Sequence, residues 1–270
     1  MKDVNILIEN GANVKKALEL FGDMETYDQT LDVFLNDVPD KLQKIKNCKE
    51  IGDMANYAIL VHSLKSDARY FGFENLGEIA YQHEIESKAN NLFYVTEHFD
   101  ELMTEANRVL NLVKKYLGVG NVSESAYKKE ESHDRGILIV DDSNLIRNFI
   151  LKIFKDSFEV IVANDGKEAL DIINDENKNK KIKAILLDLN MPNVDGFEVL
   201  DYFKSNDLFK KFAVSIITGV DDKESIEKAY KYPIIDILLK PFNERDVKKI
   251  VEKTINQINW CKSKRACFFI

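Results

Sequence analysis

The sequence predicts a multidomain chain: an all-α antiparallel four-helix bundle followed by an α/β parallel sheet covered by helices on both faces. Three observations predict it. Residues 1–117 hold a single proline, Pro39, and repeat apolar residues at helical spacing. Residues 118–135, GVGNVSESAYKKEESHDR, lose that period and are rich in Gly, Ser and charge, as linkers are. From Gly136 onward, five short and nearly all-apolar runs alternate with amphipathic stretches, the pattern of strands buried on both faces.

In the first part, Leu31, Phe34, Leu35, Val38, Leu42 and Ile45 line one face of a helix over 27–46, which Pro39 is expected to bend. A second helix carries Tyr57, Val61, Leu64, Ala68 and Phe71, spaced 4, 3, 4, 3. A third spans about 73–91, and a fourth begins near Val95. Each has one apolar face, so closing the four around one core is the economical arrangement. Residues 1–25 are expected to add one further helix packed on the bundle.

Bulk composition narrows the function. The chain has 270 residues, enough for two ordinary domains, and 45% apolar content with 16 Phe and 10 Tyr supports substantial cores. With 38 basic and 46 acidic residues, the net charge of −8 argues against non-specific nucleic-acid binding, which works through basic patches. No apolar run is long enough to span a bilayer. Acids and asparagines break any signal-peptide core near the start. Cys48, Cys261 and Cys267 are odd in number and form no CxxC, which points to a reducing cytoplasm without structural disulfides. The terminal CFFI matches a prenylation box and is read as a chance match.

Parallel sheets bind ligands at the carboxyl ends of their strands. After GILIV come Asp141 and Asp142. After IKAILL come Asp188, Leu189 and Asn190. FAVSII is followed by Thr218 and Gly219, and IIDILL by Lys240 and Pro241. Each has a plain reading alone: Asp142 or Ser143 can cap the next helix, and Lys240 can be a solvated lysine. Together they need a joint explanation, because clustered carboxylates repel without a cation. An oxygen-only set suits Mg²⁺. A metal, a lysine and a hydroxyl can each neutralise one oxygen of a phosphoryl group in transfer, and one carboxylate can accept the group.

The motifs VDDS, LLDLNMPNVDGFEVL, IITG and LLKPF resemble those of the receiver domain of two-component response regulators, over residues 136 to about 258. The resemblance implies a flavodoxin-like (βα)5 doubly wound sheet with Asp188 as phosphoacceptor. It implies Mg²⁺ on Asp142, Asp188 and the Asn190 carbonyl, with Asp141 supporting through water. Lys240 would pair with the acceptor or its phosphoryl group, Thr218 would move to bond that group, and the bond before Pro241 would be cis. Two positions depart from the family. Ile237 stands where Tyr or Phe is usual, and Gly219 where Ala is usual. Ile237 cannot supply the aromatic rotation of the usual two-state switch, so the phosphoryl chemistry is expected to survive while the surface switch loses that part.

In ILVHSLKSDARYFG, residues 59–72, His62, Lys65 and Arg69 form a second stripe about 120° around the helix from the apolar seam. That stripe is expected to face solvent. HSLKSDARYFGFENL resembles the histidine phosphotransfer (HPt) domain, over about residues 25–117, with Ser66 where the family motif HxxKG has glycine. The resemblance implies His62 as the phosphohistidine, with Lys65 and Arg69 offsetting the phosphoryl charge. His83 and His98 lack basic neighbours at that spacing and are read as structural, and His133 falls in the linker.

The sequence therefore predicts a soluble, cytoplasmic phosphorelay protein that is not a kinase, since no ATP-binding kinase motif is present. Its expected partners are a sensor histidine kinase and other receiver or phosphotransfer proteins, without nucleic acid or membrane insertion. The expected division is a bundle over 1–117, a linker over 118–135, a receiver over 136–260 and a tail over 261–270. Two other readings stand beside it. One is a Mg²⁺-dependent phosphatase with an aspartate nucleophile, although such enzymes usually carry DxD where this chain has Asp188-Leu189-Asn190. The other is a receiver joined to a helical interaction module that is not phosphorylated.

Overall fold

The computed structural model describes residues 2–118, 135–219 and 223–266, with side chains through residue 257. The chain divides into two compact units, Met1–Glu130 and Glu131–Ile270. Apart from its two end residues, the linker read from the sequence lies outside the described residues.

In the first unit, two short helices, α1 (Asn5–Ile8) and α2 (Val14–Phe21), precede four long ones: α3 (Met24–Ile51), α4 (Met54–Tyr70), α5 (Glu74–Lys88) and α6 (Leu92–Leu117). The single extra N-terminal helix predicted from sequence is thus two, divided at Gly11, whose φ of +88° no helix accommodates. Asn13, Asp23, Asp53 and Asn91 start α2, α3, α4 and α6 by accepting the backbone N–H three residues on. α3 packs on α4 and α6, and α5 packs on the same two, which closes the four-helix ring. The six apolar residues read on α3 are buried, as are Tyr57, Val61, Leu64, Ala68 and Phe71. Pro39 lies on the exposed side, and α3 runs through it as one helix.

α2 closes the end of the bundle where α4 turns into α5. Phe21 stacks on Phe71 with ring centroids 5.3 Å apart, and Tyr27 and Phe34 meet Phe71 edge-on. Gly72 is required at this turn. Its φ is +76°, and a Cβ there would lie 2.5 Å from the Asn13 carbonyl oxygen.

His83 is fully buried and ties three helices together. Tyr57 Oη lies 2.7 Å from its Nδ1, and its Nε2 lies 3.2 Å from the His98 carbonyl oxygen. A carbonyl only accepts, so Nε2 carries the proton and Nδ1 accepts from Tyr57.

The second unit is a five-stranded parallel sheet in the order β2-β1-β3-β4-β5. The strands are β1 (Gly136–Val140), β2 (Glu159–Ala163), β3 (Ile182–Asp188), β4 (Val214–Gly219) and β5 (Ile237–Lys240). The helices are α7 (Asn144–Phe154), α8 (Gly166–Asn174), the short α9 (Glu176–Asn179), α10 (Gly196–Ser205), α11 (Lys223–Ala229) and α12 (Glu244–Ala266). Ser143, Asp165 and Asp195 cap α7, α8 and α10. Leu138, Val140, Leu187 and Ile216 pack one sheet face onto Val199 and Phe203 of α10 and Ile172 of α8. On the other face lie α7 and α12, where Phe149 stacks on Phe242 at 6.3 Å. The edge strands β2 and β5 are only partly buried.

The chain end differs from the tail predicted over 261–270. With no Gly or Pro after Pro241 to stop it, α12 continues to Ala266, and residues 267–270 lie outside the described residues. Among the described residues, no helix is long and apolar enough to cross a membrane.

Burial, the first cause, holds the His83 pKa below the ordinary 6.5. The unfolded chain then binds a proton that the folded chain refuses, so bundle stability falls as pH drops below that value. Amide exchange across α4–α6, corrected for intrinsic rates, should be faster at about pH 5.5 than at about pH 7.5, and His83→Gln should remove most of the difference.

Candidate functional site

Sheet register assembles one cluster. Val140 pairs with Leu187, Asp188 with Ile217 and Gly219 with Lys240. Asp141, Asp188, Thr218 and Lys240 therefore stand at the carboxyl ends of adjacent strands. Lys240 Nζ lies 2.6 Å from Asp188 Oδ2 and 2.8 Å from Asp141 Oδ2. The second approach is an ion pair by distance without hydrogen-bond alignment. One oxygen each of Asp141, Asp142 and Asp188 lie within 4.8 Å of one another. Asp141, Asp188 and Thr218 are fully buried, Lys240 nearly so, and Asp142 half-buried.

Backbone contacts hold this rim in place. Asp141 Oδ1 accepts the Ser143 N–H at 2.9 Å, and Arg147 donates to the Asp141 carbonyl. The Asn190 N–H donates to Asp188 Oδ1 at 3.3 Å, which curls the loop back over the strand end. Gly196 lets α10 start directly against that loop, since a Cβ there would collide with the Asp188 carbonyl oxygen. The Lys240–Pro241 bond is cis.

The electrostatics of the cluster are unbalanced. Burial opposes ionisation of Asp188, Asp141 and Asp142 add repulsion, and Lys240 pulls the other way; the carboxyl is pushed up to about 7. Burial alone would lower Lys240, but the Asp141 and Asp188 carboxylates raise it well above its ordinary value. At this range one opposite charge is worth about 6 kcal/mol at an effective dielectric near 20, against several kcal/mol for burying each ion. One ammonium offsets one carboxylate, not three. The oxygen-only set and its residual negative charge fit a hard divalent cation. Beside it, the buried Thr218 Oγ1 has no hydrogen-bond partner, an unmet demand rare in folded proteins.

The first unit corrects the sequence reading of His62, Lys65 and Arg69. His62 and Lys65 are 3% and 2% exposed, and Arg69 is half-buried, so the stripe does not face solvent. It faces α5, where Gly77, Tyr81, Glu84 and Lys88 recur at spacings of 4, 3 and 4. His62 Nδ1 lies 2.8 Å from Glu84 Oε1, Lys65 Nζ 2.7 Å from Oε2, and Lys88 Nζ 2.8 Å from Oε1. Ser66 is buried too, and Lys41 reaches across from α3 to Ser63 Oγ at 2.8 Å and to Asp67.

Glu84 is the site residue that sequence reasoning misses. Burial alone would raise its pKa, but the His62 hydrogen bond and charge, with Lys65 and Lys88, hold it well below the usual carboxylate range. An ionised Glu84 only accepts, so Nδ1 of His62 donates to it, and the neutral ring in that tautomer carries its lone pair on Nε2. One signal for Glu84 exists in the sequence: it continues the i, i+4 spacing of Leu76 and Ala80, putting a carboxylate on the inward face.

Comparison with known proteins follows the same division. A family model described as response regulator receiver domain matches residues 137–252, and one described as Hpt domain matches residues 29–111. The chain is 30% identical over 122 residues to the probable methanogenesis regulatory protein FilR2 of Methanothrix harundinacea, covering 43% of this chain and 79% of that protein. It is 29% identical over 129 residues to response regulator Rcp1 of Synechocystis sp., covering 46% and 88%. With the CAI-1 autoinducer sensor kinase/phosphatase CqsS of Vibrio cholerae it shares 31% over 121 residues, 44% of this chain and 17% of that protein. A solved receiver domain protein from Clostridium thermocellum is 27% identical, with 47% of this chain and 98% of that chain covered and a TM-score of 0.42.

Removing the lysine tests the electrostatic account. Lys240→Met should destabilise the second unit by about 3–5 kcal/mol near neutral pH, because it strands buried carboxylates. Without its cation, Asp188 titrates still higher than in the unfolded chain, so the variant gains stability as pH falls and loses it as pH rises. Urea unfolding at about pH 5 and about pH 8 should show the gap to the parent narrowing at the lower pH.

Proposed function

The chain belongs to the response regulator receiver family, with an Hpt domain ahead of the receiver, and its place is in phosphorelay signalling; on that premise we propose that Asp188 and His62 are its two phosphoryl-carrying residues. The observation that carries the reading is Lys240, buried between Asp141 and Asp188 beside the unsatisfied Thr218 hydroxyl. The bundle is taken as residues 1–117 and the receiver as 136–260.

At Asp188, a carboxylate oxygen attacks the phosphorus of an incoming phosphohistidine. The P–N bond breaks, and the imidazole leaves with the electron pair and is protonated. Lys240 starts 2.6 Å from the acceptor and pairs with a phosphoryl oxygen as charge spreads. Thr218 Oγ1 donates to a second oxygen, meeting its own buried demand. Asp142, Asp188 and the Asn190 carbonyl, with Asp141 supporting through water, would hold Mg²⁺, which would supply the positive charge that the carboxylates lack.

At His62, Nε2 attacks the phosphorus of an aspartyl phosphate, and the donor carboxylate leaves. The ring becomes cationic as the bond forms, and the Glu84 carboxylate on Nδ1 offsets that charge. The phosphoryl group comes from a sensor histidine kinase, another relay protein or a small phosphodonor, and the protein works in the cytoplasm.

Labelled acetyl phosphate with Mg²⁺ should give base-labile label on the parent chain and none on Asp188→Asn, and chelation with EDTA should abolish it. His62→Gln should lose acid-labile, base-stable label while keeping the label on Asp188. Equal labelling of the parent and Asp188→Asn would overturn the acceptor assignment.

A further inference from the structure

Next to the acidic rim lies a buried cation that the phosphoryl step does not use. Arg147 stands one turn into α7 and is 7% exposed. Its Nη1 donates to the Asp141 carbonyl and its Nη2 to Asn144 Oδ1. Both acceptors are neutral oxygens. A planar guanidinium can grip two such oxygens at once and so fix one relative to the other. The backbone N–H of Arg147 donates to the Ser143 carbonyl at 3.1 Å, so the arm starts from a hydrogen-bonded turn.

A peptide unit is planar, so a grip on the Asp141 carbonyl sets the plane of the whole Asp141–Asp142 peptide. The next unit is set separately, because the Ser143 N–H donates to Asp141 Oδ1 at 2.9 Å. Asp142 therefore sits at the bend between β1 and α7 with a held peptide on either side. Its carboxylate supplies one of the three oxygens that lie within 4.8 Å of one another. Asp141 and Asp188 are fully buried, whereas Asp142 is half-buried. Packing constrains it less, and the course of its backbone decides where that oxygen stands.

We propose that Arg147 is a positioning residue for the divalent cation: by holding the Asp141 carbonyl it aims the Asp142 carboxylate at the place where Asp188 offers its own oxygen. The proposal rests on Asp142 and Asp188 being metal ligands. A role through charge alone has the opposite sign. A guanidinium near the rim repels a divalent cation, so an arginine that acted only as a charge would weaken metal binding, and its removal would tighten it.

The test titrates Mn²⁺ into the full chain and reads the free ion by electron paramagnetic resonance. Arg147→Lys keeps the charge and loses the two-point grip, and it should bind Mn²⁺ about tenfold more weakly than the parent, the scale of losing a group that orients a ligand. Arg147→Gln should bind more weakly as well. Labelling by acetyl phosphate should recover in both variants at saturating Mg²⁺, since Asp188 and Lys240 are untouched. Tighter binding in Arg147→Gln with parent-like binding in Arg147→Lys would overturn the proposal in favour of charge. Lower urea stability with parent-like Mn²⁺ affinity of the folded variants would overturn it in favour of a merely structural arginine. Should both variants fail to fold, Asn144→Ala decides, because it keeps the guanidinium and removes one of the two oxygens in its grip; about threefold weaker binding is expected there, and parent-like affinity would overturn the proposal. Asp142→Ala separates the two levels: a parent without a Mn²⁺ site, or a site undiminished in Asp142→Ala, means the metal assignment itself has failed, whatever Arg147 does.

Discussion

Charge held in a dry place, short of full compensation, is the constraint on which the second unit turns. At its rim, burial and two neighbouring carboxylates act on Asp188 against a single lysine. That imbalance survives because the sheet leaves it no escape. β1, β3 and β4 are buried almost throughout, and their pairing fixes where each strand ends. A slip of one residue in β3 would turn the Asp188 side chain to the opposite face and break the cluster. The hydrophobic core thus acts as the clamp that keeps like charges together. The bundle solves the opposite problem: the buried carboxylate of Glu84 stays ionised because an imidazole and two ammonium groups converge on it.

The two units differ in how much of this can be read from the chain alone. In the second, the governing rules are local. Short apolar runs between polar loops read as buried strands, Ser143, Asp165 and Asp195 announce helix starts, and the rim groups follow their strands directly. Asp141, Asp142, Asp188, Thr218 and Lys240 are accordingly brought to one edge, as their positions suggest. In the first unit, the apolar seams of α3 and α4 are legible by spacing. The surroundings of the polar stripe are not. α4 is buried from Val61 through Ala68 on every side, and polarity alone cannot distinguish solvent from a carboxylate on the next helix. Glu84 lies 22 residues from His62, so no short motif joins them.

Ile237 changes what the rim can pass on. It is half-buried at the head of β5 and has bulk without a ring. The aromatic nearest before it, Tyr232, is engaged elsewhere: its hydroxyl donates to Asp201 at 2.7 Å and its ring packs against Phe197. Under the proposed reading, a move of Thr218 toward a phosphoryl group is felt by its neighbours as altered packing around β4 and β5, not as the swing of an aromatic side chain.

Under the proposed reading, the same depth that hides His62 from solvent also governs time. Water is the competitor that discharges a phosphorylated imidazole, and a ring with 3% of its surface open offers water little approach. A phosphoryl group held there would leak away slowly, and the life of the signal would depend on the proteins that collect it.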